Sequence, residues 1–131
     1  MAIFFHDERI RSALKGKRAL KSWLIEVLKH ENKKLGEINI VFTTDEYLRK
    51  INVKYLSRNY YTDVITFDYS NKDEISGDIY VSLERVEENA SIYDETKSKE
   101  IRRVMVHGLL HLIGYKDHKK EEQLEMQRME N

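Results

Sequence analysis

The chain contains no cysteine among its 131 residues, which excludes disulfide scaffolds, thiol catalysis and zinc held by thiolates. Proline is absent too, an omission for which the sequence offers no physical reason. No apolar run approaches the roughly 20 residues needed to span a bilayer. The opening MAIFFHDERIRS turns charged too early for the apolar stretch of a secretory signal. Net charge is lacking as well, with 23 Lys/Arg against 23 Asp/Glu, but the balance hides an asymmetry. Residues 1–66 carry 13 basic against 8 acidic side chains and residues 67–131 carry 10 against 15, so a polyanion is expected to meet the first half. At 40% hydrophobic and 35% charged the chain is too apolar for disorder, and its length suits one domain over residues 1–131. The expectation is a soluble, cytoplasmic protein without a membrane partner.

Apolar spacing then assigns elements. Ile3, Phe4 and Phe5 read as an edge strand, and Ala19, Leu20, Trp23, Leu24, Val27 and Leu28 predict an amphipathic helix over residues 17–34, stopped by Gly36. Ile38, Ile40 and Phe42 alternate as a half-buried strand does. Thr43 with Glu46 forms a capping-box pair opening a helix whose apolar face is Tyr47, Leu48, Ile51 and Tyr55. Residues 62–68 and 77–82 have strand composition and flank a turn-rich connection, which predicts a hairpin. Leu83, Val86, Ala90 and Tyr93 mark another helix, residues 99–113 form the most apolar one before Gly114, and a last helix starts near residue 119. The result is an α+β domain with about five helices around a small mixed sheet.

Three of the five histidines fall within the segment HGLLHLIGYKDH. His107 and His111 are four apart, one turn along one helix face, which is the spacing that offers two imidazoles to one metal ion. Gly114 ends the helix and lets the chain return, so His118 or Asp117 can supply a third ligand. Three protein ligands with an open fourth position mark catalytic rather than structural zinc. Two imidazoles within VMVHGLLHLIG would be costly to bury unpaired, which favours a metal over a core histidine pair. The pattern HxxxH resembles a zincin-like helix, but position 108 is Gly where a metalloprotease carries its Glu base. That argues against a peptidase, and Gly108 reads as allowing close packing or substrate approach, or equally well as a plain helix–helix contact.

The stretch HGLLHLIGY followed by DH resembles the zinc motif of the YbeY endoribonuclease family, the bacterial rRNA maturation factors. Two further blocks resemble that family in order and spacing: Asn52-Val-Lys-Tyr55 leading to Thr62-Asp-Val-Ile-Thr-Phe67, and Gly77-Asp-Ile-Tyr-Val-Ser-Leu-Glu84. The resemblance covers residues 38–118. It implies an α+β fold with a four-stranded mixed sheet, one zinc ion on three histidines and metal-dependent cleavage of single-stranded RNA. It further implies maturation of the 16S rRNA 3′ end, ribosome quality control, and ribosomal RNA with the small ribosomal subunit as partners. Two departures stand out. Lys116 lengthens the metal motif, so Asp117 occupies the family's third-ligand position and His118 follows it; His118 is preferred as the commoner zinc ligand. The family's arginine six residues before Thr-Asp-Val is replaced by Leu56, and the nearest arginine is Arg58.

Zinc on His107, His111 and His118, or Asp117, would activate water, and Arg58 is the candidate for stabilising charge at the phosphate. Lys50, Lys54 and Tyr60 are candidates for holding RNA, cations tracking the backbone while aromatic faces stack bases. Asp63 and Asp78 read as proton carriers or as hydrogen-bonding anchors. Two alternatives stay open: a metal hydrolase of another ester or amide, and a ribosome-associated RNA-binding module whose metal only staples the fold.

Overall fold

A computed structural model describes residues 2–59 and 61–114. Its elements run β1 (Ala2–Asp7), α1 (Lys17–His30), β2 (Lys34–Thr43), α2 (Asp45–Leu56), β3 (Val64–Asp68), β4 (Glu74–Ser82), α3 (Leu83–Ile92) and α4 (Lys97–Ile113). The four strands form one mixed sheet in the order β1-β2-β4-β3. β1 and β4 lie parallel to β2, and β3 runs antiparallel to β4 as the expected hairpin. The α+β class and the four-stranded mixed sheet are as expected; among the described residues there are four helices, and the helix expected from residue 119 lies outside them.

Strand alternation divides the sheet into two apolar faces. Ile38, Ile40 and Phe42 of β2 and Ile79 and Val81 of β4 join Leu24 and Leu28 of α1, Leu83 and Val86 of α3, and the buried stripe of α4 in the main core. The residues between them face the other way: Ile65, Phe67 and Tyr80 pack with Leu48 and Ile51 of α2 in a smaller cluster. Helix α2 thus covers the opposite face from α1 and α4. Each fully buried aliphatic side chain contributes about 1.5–3 kcal/mol, and α4 buries seven of them between Ile101 and Leu112.

Three local expectations are corrected. Helix α1 ends at His30, not near residue 34; Asn32 takes a left-handed conformation (φ 57°) after it, and Gly36 lies within β2. A side chain at Gly36 would collide with Ser76 of β4, so that glycine serves strand approach rather than helix termination. The cap of α2 is Thr44, whose hydroxyl accepts from the Tyr47 amide at 3.1 Å, while Thr43 is buried at the end of β2. The starts of α2 and α3 also cap one another. Ser82 Oγ donates to Asp45 Oδ1 (3.0 Å), Arg85 donates to Asp45 Oδ2 (2.7 Å), and the Asp45 amide donates to Glu84 (2.8 Å). Tyr55 and Tyr93, assigned to apolar helix faces, are largely exposed: Tyr93 follows the last residue of α3, and Tyr55 meets the sheet only through an edge contact with Phe67.

Helix α4 lies close against β3 and β4 because two glycines remove the intervening side chains. A Cβ on Gly108 would stand 2.7 Å from Ile79 Cγ2 and 3.3 Å from Val64 Cγ2. A Cβ on Gly77 would strike the Phe67 carbonyl oxygen and Leu112. The glycine between the two histidines is therefore a close-packing contact, made with the sheet rather than with another helix. Gly108→Ala is expected to destabilise the fold by about 1–3 kcal/mol through overpacking, read as a lower urea midpoint with unchanged slope.

Candidate active-site cleft

The two histidines of α4 open into a cleft of about 470 Å³ between α4, the end of α2 and the edge of the sheet. Asn52 and Leu56 line it from α2, Arg58 from the following loop, and residues 62–66 from β3 and its approach. Five consecutive residues on one wall cannot all present side chains from a single strand face, so the unpaired backbone edge of β3 forms part of it. His107 and His111 sit on the same helix face as expected, with Nε2 atoms 2.9 Å apart. Their rings are tilted by 48° with centroids 4.6 Å apart.

That convergence fits a metal. Two nitrogens can touch one zinc ion only if they are closer than twice the bond length of about 2.0–2.1 Å, and these are. Neutral imidazole nitrogens are also ordinary zinc donors. Among the described residues no group of three His, Asp or Glu side chains could hold an ion. The third-ligand candidates, Asp117 and His118, lie outside the described residues, as does Tyr60.

Arg58 reaches the cleft through the way α2 ends. Ser57 adopts a left-handed conformation (φ 53°), and the amides of Ser57 and Arg58 both turn back to the Asn52 carbonyl, the latter at 3.1 Å. This is the closure usually built on glycine, here made with serine, and it folds the chain over the C-terminus of α2. Arg49 then holds the loop, donating to Asn59 Oδ1 at 2.8 Å and lying over the Tyr61 ring at 5.9 Å. Tyr61 in turn donates to Glu46 Oε2 at 3.2 Å. Arg49 beside Glu46, helped by the Tyr61 hydroxyl, holds that carboxyl below the usual carboxylate range. Sequence reasoning missed Arg49, since an arginine on an exposed helix face carries no signal of its loop partner. Asn52, which the sequence marked only as the start of a resembling block and gave no role, is a buried amide lining the cleft.

Lys50 and Lys54 are placed differently. They are two residues to either side of Asn52 on α2, roughly 160° around the helix from it, and neither lines the cleft. Lys54 instead lies over the Tyr55 ring at 5.2 Å. Asp78 accepts from Asn39 Nδ2 at 3.3 Å on the sheet, as an anchor would. Asp63 is the more telling residue. It lines the cleft, its carbonyl accepts from the Ser82 amide at 3.0 Å, and its carboxylate meets Arg103 at 3.5 Å. Arg103 lies one turn before His107 on α4 and is held by the buried Glu100 through bonds of 2.9 and 2.7 Å. His6 and His30 are exposed, with His6 Nε2 2.8 Å from Asn39 Oδ1.

The class of protein follows from these features: an α+β domain with a polar cleft at a sheet edge, carrying paired histidines and arginine. A family model described as Endoribonuclease YbeY matches residues 3–131. A Flavobacterium johnsoniae protein named Endoribonuclease YbeY is 50% identical over 105 residues, covering 80% of this chain and 76% of the relative. One of the same name from Bacteroides thetaiotaomicron is 37% identical over the whole chain and 96% of its own length. The solution structure of a Thermotoga maritima protein superposes with a TM-score of 0.67 at 30% identity, covering 98% of this chain and 86% of that one. The chain belongs to the YbeY endoribonuclease family. Among the described residues no helix is long and apolar enough to cross a membrane.

Removing Arg103 strands the buried Glu100 carboxylate without its guanidinium. Arg103→Ala is therefore expected to cost about 3 kcal/mol of folding stability. Glu100→Gln, which keeps hydrogen-bonding atoms at the same place, should cost less; urea titration of the two variants gives the comparison.

Proposed function

We propose that this protein is a zinc-dependent endoribonuclease that cuts single-stranded RNA in the cleft formed by α4, the end of α2 and β3. The observation that carries the reading is the convergence of the His107 and His111 Nε2 atoms in a cleft that Arg58 also lines. Membership of the YbeY endoribonuclease family supports the RNA substrate, and the open cleft favours a catalytic over a closed structural site. His107 and His111 hold the ion, with His118, or Asp117 in its place, completing the set. When bound, zinc supplies Lewis acidity and lowers the pKa of water.

The chain's own residues do the remainder. Arg58 neutralises charge developing on the phosphate from the wall facing the histidines. Its guanidinium takes the part that Leu56 cannot, since the turn at Ser57 swings the chain back to the same cleft. Asp63 and Arg103 brace that wall, and the edge of β3 offers backbone donors and acceptors along the strand. Lys50 and Lys54, on the outward face of α2, act not at the scissile bond but in long-range attraction of the polyanion. The cellular substrate is the 3′ region of 16S rRNA on the small ribosomal subunit in the cytoplasm, and the same cleavage serves ribosome quality control.

The test is cleavage of a labelled single-stranded RNA by zinc-loaded wild type beside identically purified His111→Ala. His111→Ala is expected to lose about 10²-fold or more in rate while keeping its circular dichroism, and a chelator should stop the wild type until zinc is returned. Equal cutting by both proteins, or by neither, refutes the catalytic reading and favours a ribosome-associated RNA-binding module. Arg58→Ala should lower kcat by about 10²-fold, in the range for losing one transition-state donor, with Lys54→Ala leaving kcat unchanged.

A further inference from the structure

A second concave region lies on the far side of Arg103, the partner of Asp63 in the cleft wall. A trough of about 670 Å³ lies between α1 and the first turns of α4, lined by Trp23, Lys99, Arg102 and Arg103 among others. It shares Ala19, Leu20 and Arg102 with a neighbouring hollow of about 510 Å³ that extends it to Lys15 and Lys97. The two therefore lie side by side along α1 and α4. The trough's inner end is tied to the cleft, because Arg103 lines the trough while its guanidinium meets Asp63 of the cleft wall at 3.5 Å. Measured along α4, the path from His107 back to Lys97 is ten residues, about 15 Å.

The charges along this path favour an anion. Five cations face it, against the carboxylates Glu95 and Glu100. Glu100 is buried and turned to Arg103, so it presents little negative charge outward. Lys97 and Lys99 are paired with Glu87 and Glu95 in exposed pairs, which hold lysines weakly enough for phosphate to compete. Arg102 and Lys15 are exposed and, among the described residues, neither has a carboxylate within ion-pairing distance. The chain around Lys15 reinforces the field, since residues 9–21 hold six Lys/Arg and no Asp or Glu. Trp23, partly buried against the main core, turns its remaining surface to the trough, and an aromatic surface with cations serves single strands irrespective of base.

We infer that the trough between α1 and α4 binds the stretch of single-stranded RNA flanking the scissile bond, with Arg103 at its junction with the cleft and Arg102 and Lys15 contacting phosphates further out. This rests on the endoribonuclease reading and extends it from the point of cleavage to the path of the strand. A solvated charged helix face would also carry lysines, but it would not combine adjoining hollows, an aromatic side chain in their lining and exposed cations in line with an arginine that meets the cleft wall. The trough therefore makes affinity depend on strand length, with a strand too short to leave the cleft gaining nothing from it.

The test uses the double variant Lys15→Glu/Arg102→Glu, both positions being exposed, so melting should be unchanged. Binding is read by anisotropy with 2′-O-methyl single strands of about 12 and about 3 nucleotides, lengths chosen to reach beyond or stay within the cleft. The longer strand should bind at least about tenfold more weakly to the variant, and the shorter one equally to both proteins. A neutral Lys15→Gln/Arg102→Gln pair should lower the salt slope for the longer strand by about 1.4, or about 0.7 for each phosphate no longer neutralised. Unchanged affinity and slope for the longer strand, in a preparation whose wild type cuts RNA, overturns the trough alone. Wild type that neither binds nor cuts RNA overturns the endoribonuclease reading and the trough together.

Discussion

The close approach of α4 to the β3–β4 hairpin is the constraint on which the rest of the structure depends. Gly108 and Gly77 remove the two side chains that would hold helix and sheet apart, and Ile79, Val64 and Leu112 fill the contact. Interiors pack at near-crystalline density, so a shift of even one methyl group there is felt along the helix. The histidines flank Gly108 on the same helix, so the distance that packs the core also sets where the imidazoles stand. Stability and site geometry meet at one glycine, in the position where a metalloprotease of similar pattern carries its base.

The opposite wall is built by different means. It rests on the left-handed turn at Ser57, the Asn52 carbonyl that gathers two amides, and the Arg49 contacts to Asn59 and Tyr61. Most of these interactions are exposed and individually small, so this wall is the softer of the two. The neutral net charge conceals a local concentration of basic residues along the trough and over residues 9–21.

Much of this was legible in the sequence. Alternation marked β2, strand composition around a turn-rich connection marked the hairpin, helical spacing marked α1, and apolar content marked α4, which Gly114 ended in the left-handed conformation that its type favours (φ 115°). These features rest on local preferences and on burial of one face, both of which are written in residue order. The misplacements came where tertiary contact outweighed local habit. Gly36 reads as a helix stop but answers to Ser76 across the sheet, and Tyr55 continues an apolar stripe on α2 that extends beyond what covers it.

The paired histidines, the missing glutamate and the kinship in three blocks were determined by the sequence alone, because an i, i+4 spacing and an ordered set of motifs need no coordinates. Only the tertiary structure decided that Arg58 shares the cleft with the histidines, that Lys50 and Lys54 do not, and that Arg103 joins Asp63 to a buried glutamate. It alone joined α1 and α4 into a basic trough. The physical reason is the same throughout: these are meetings between residues far apart along the chain, fixed by how helices seat on a sheet rather than by any neighbour in sequence.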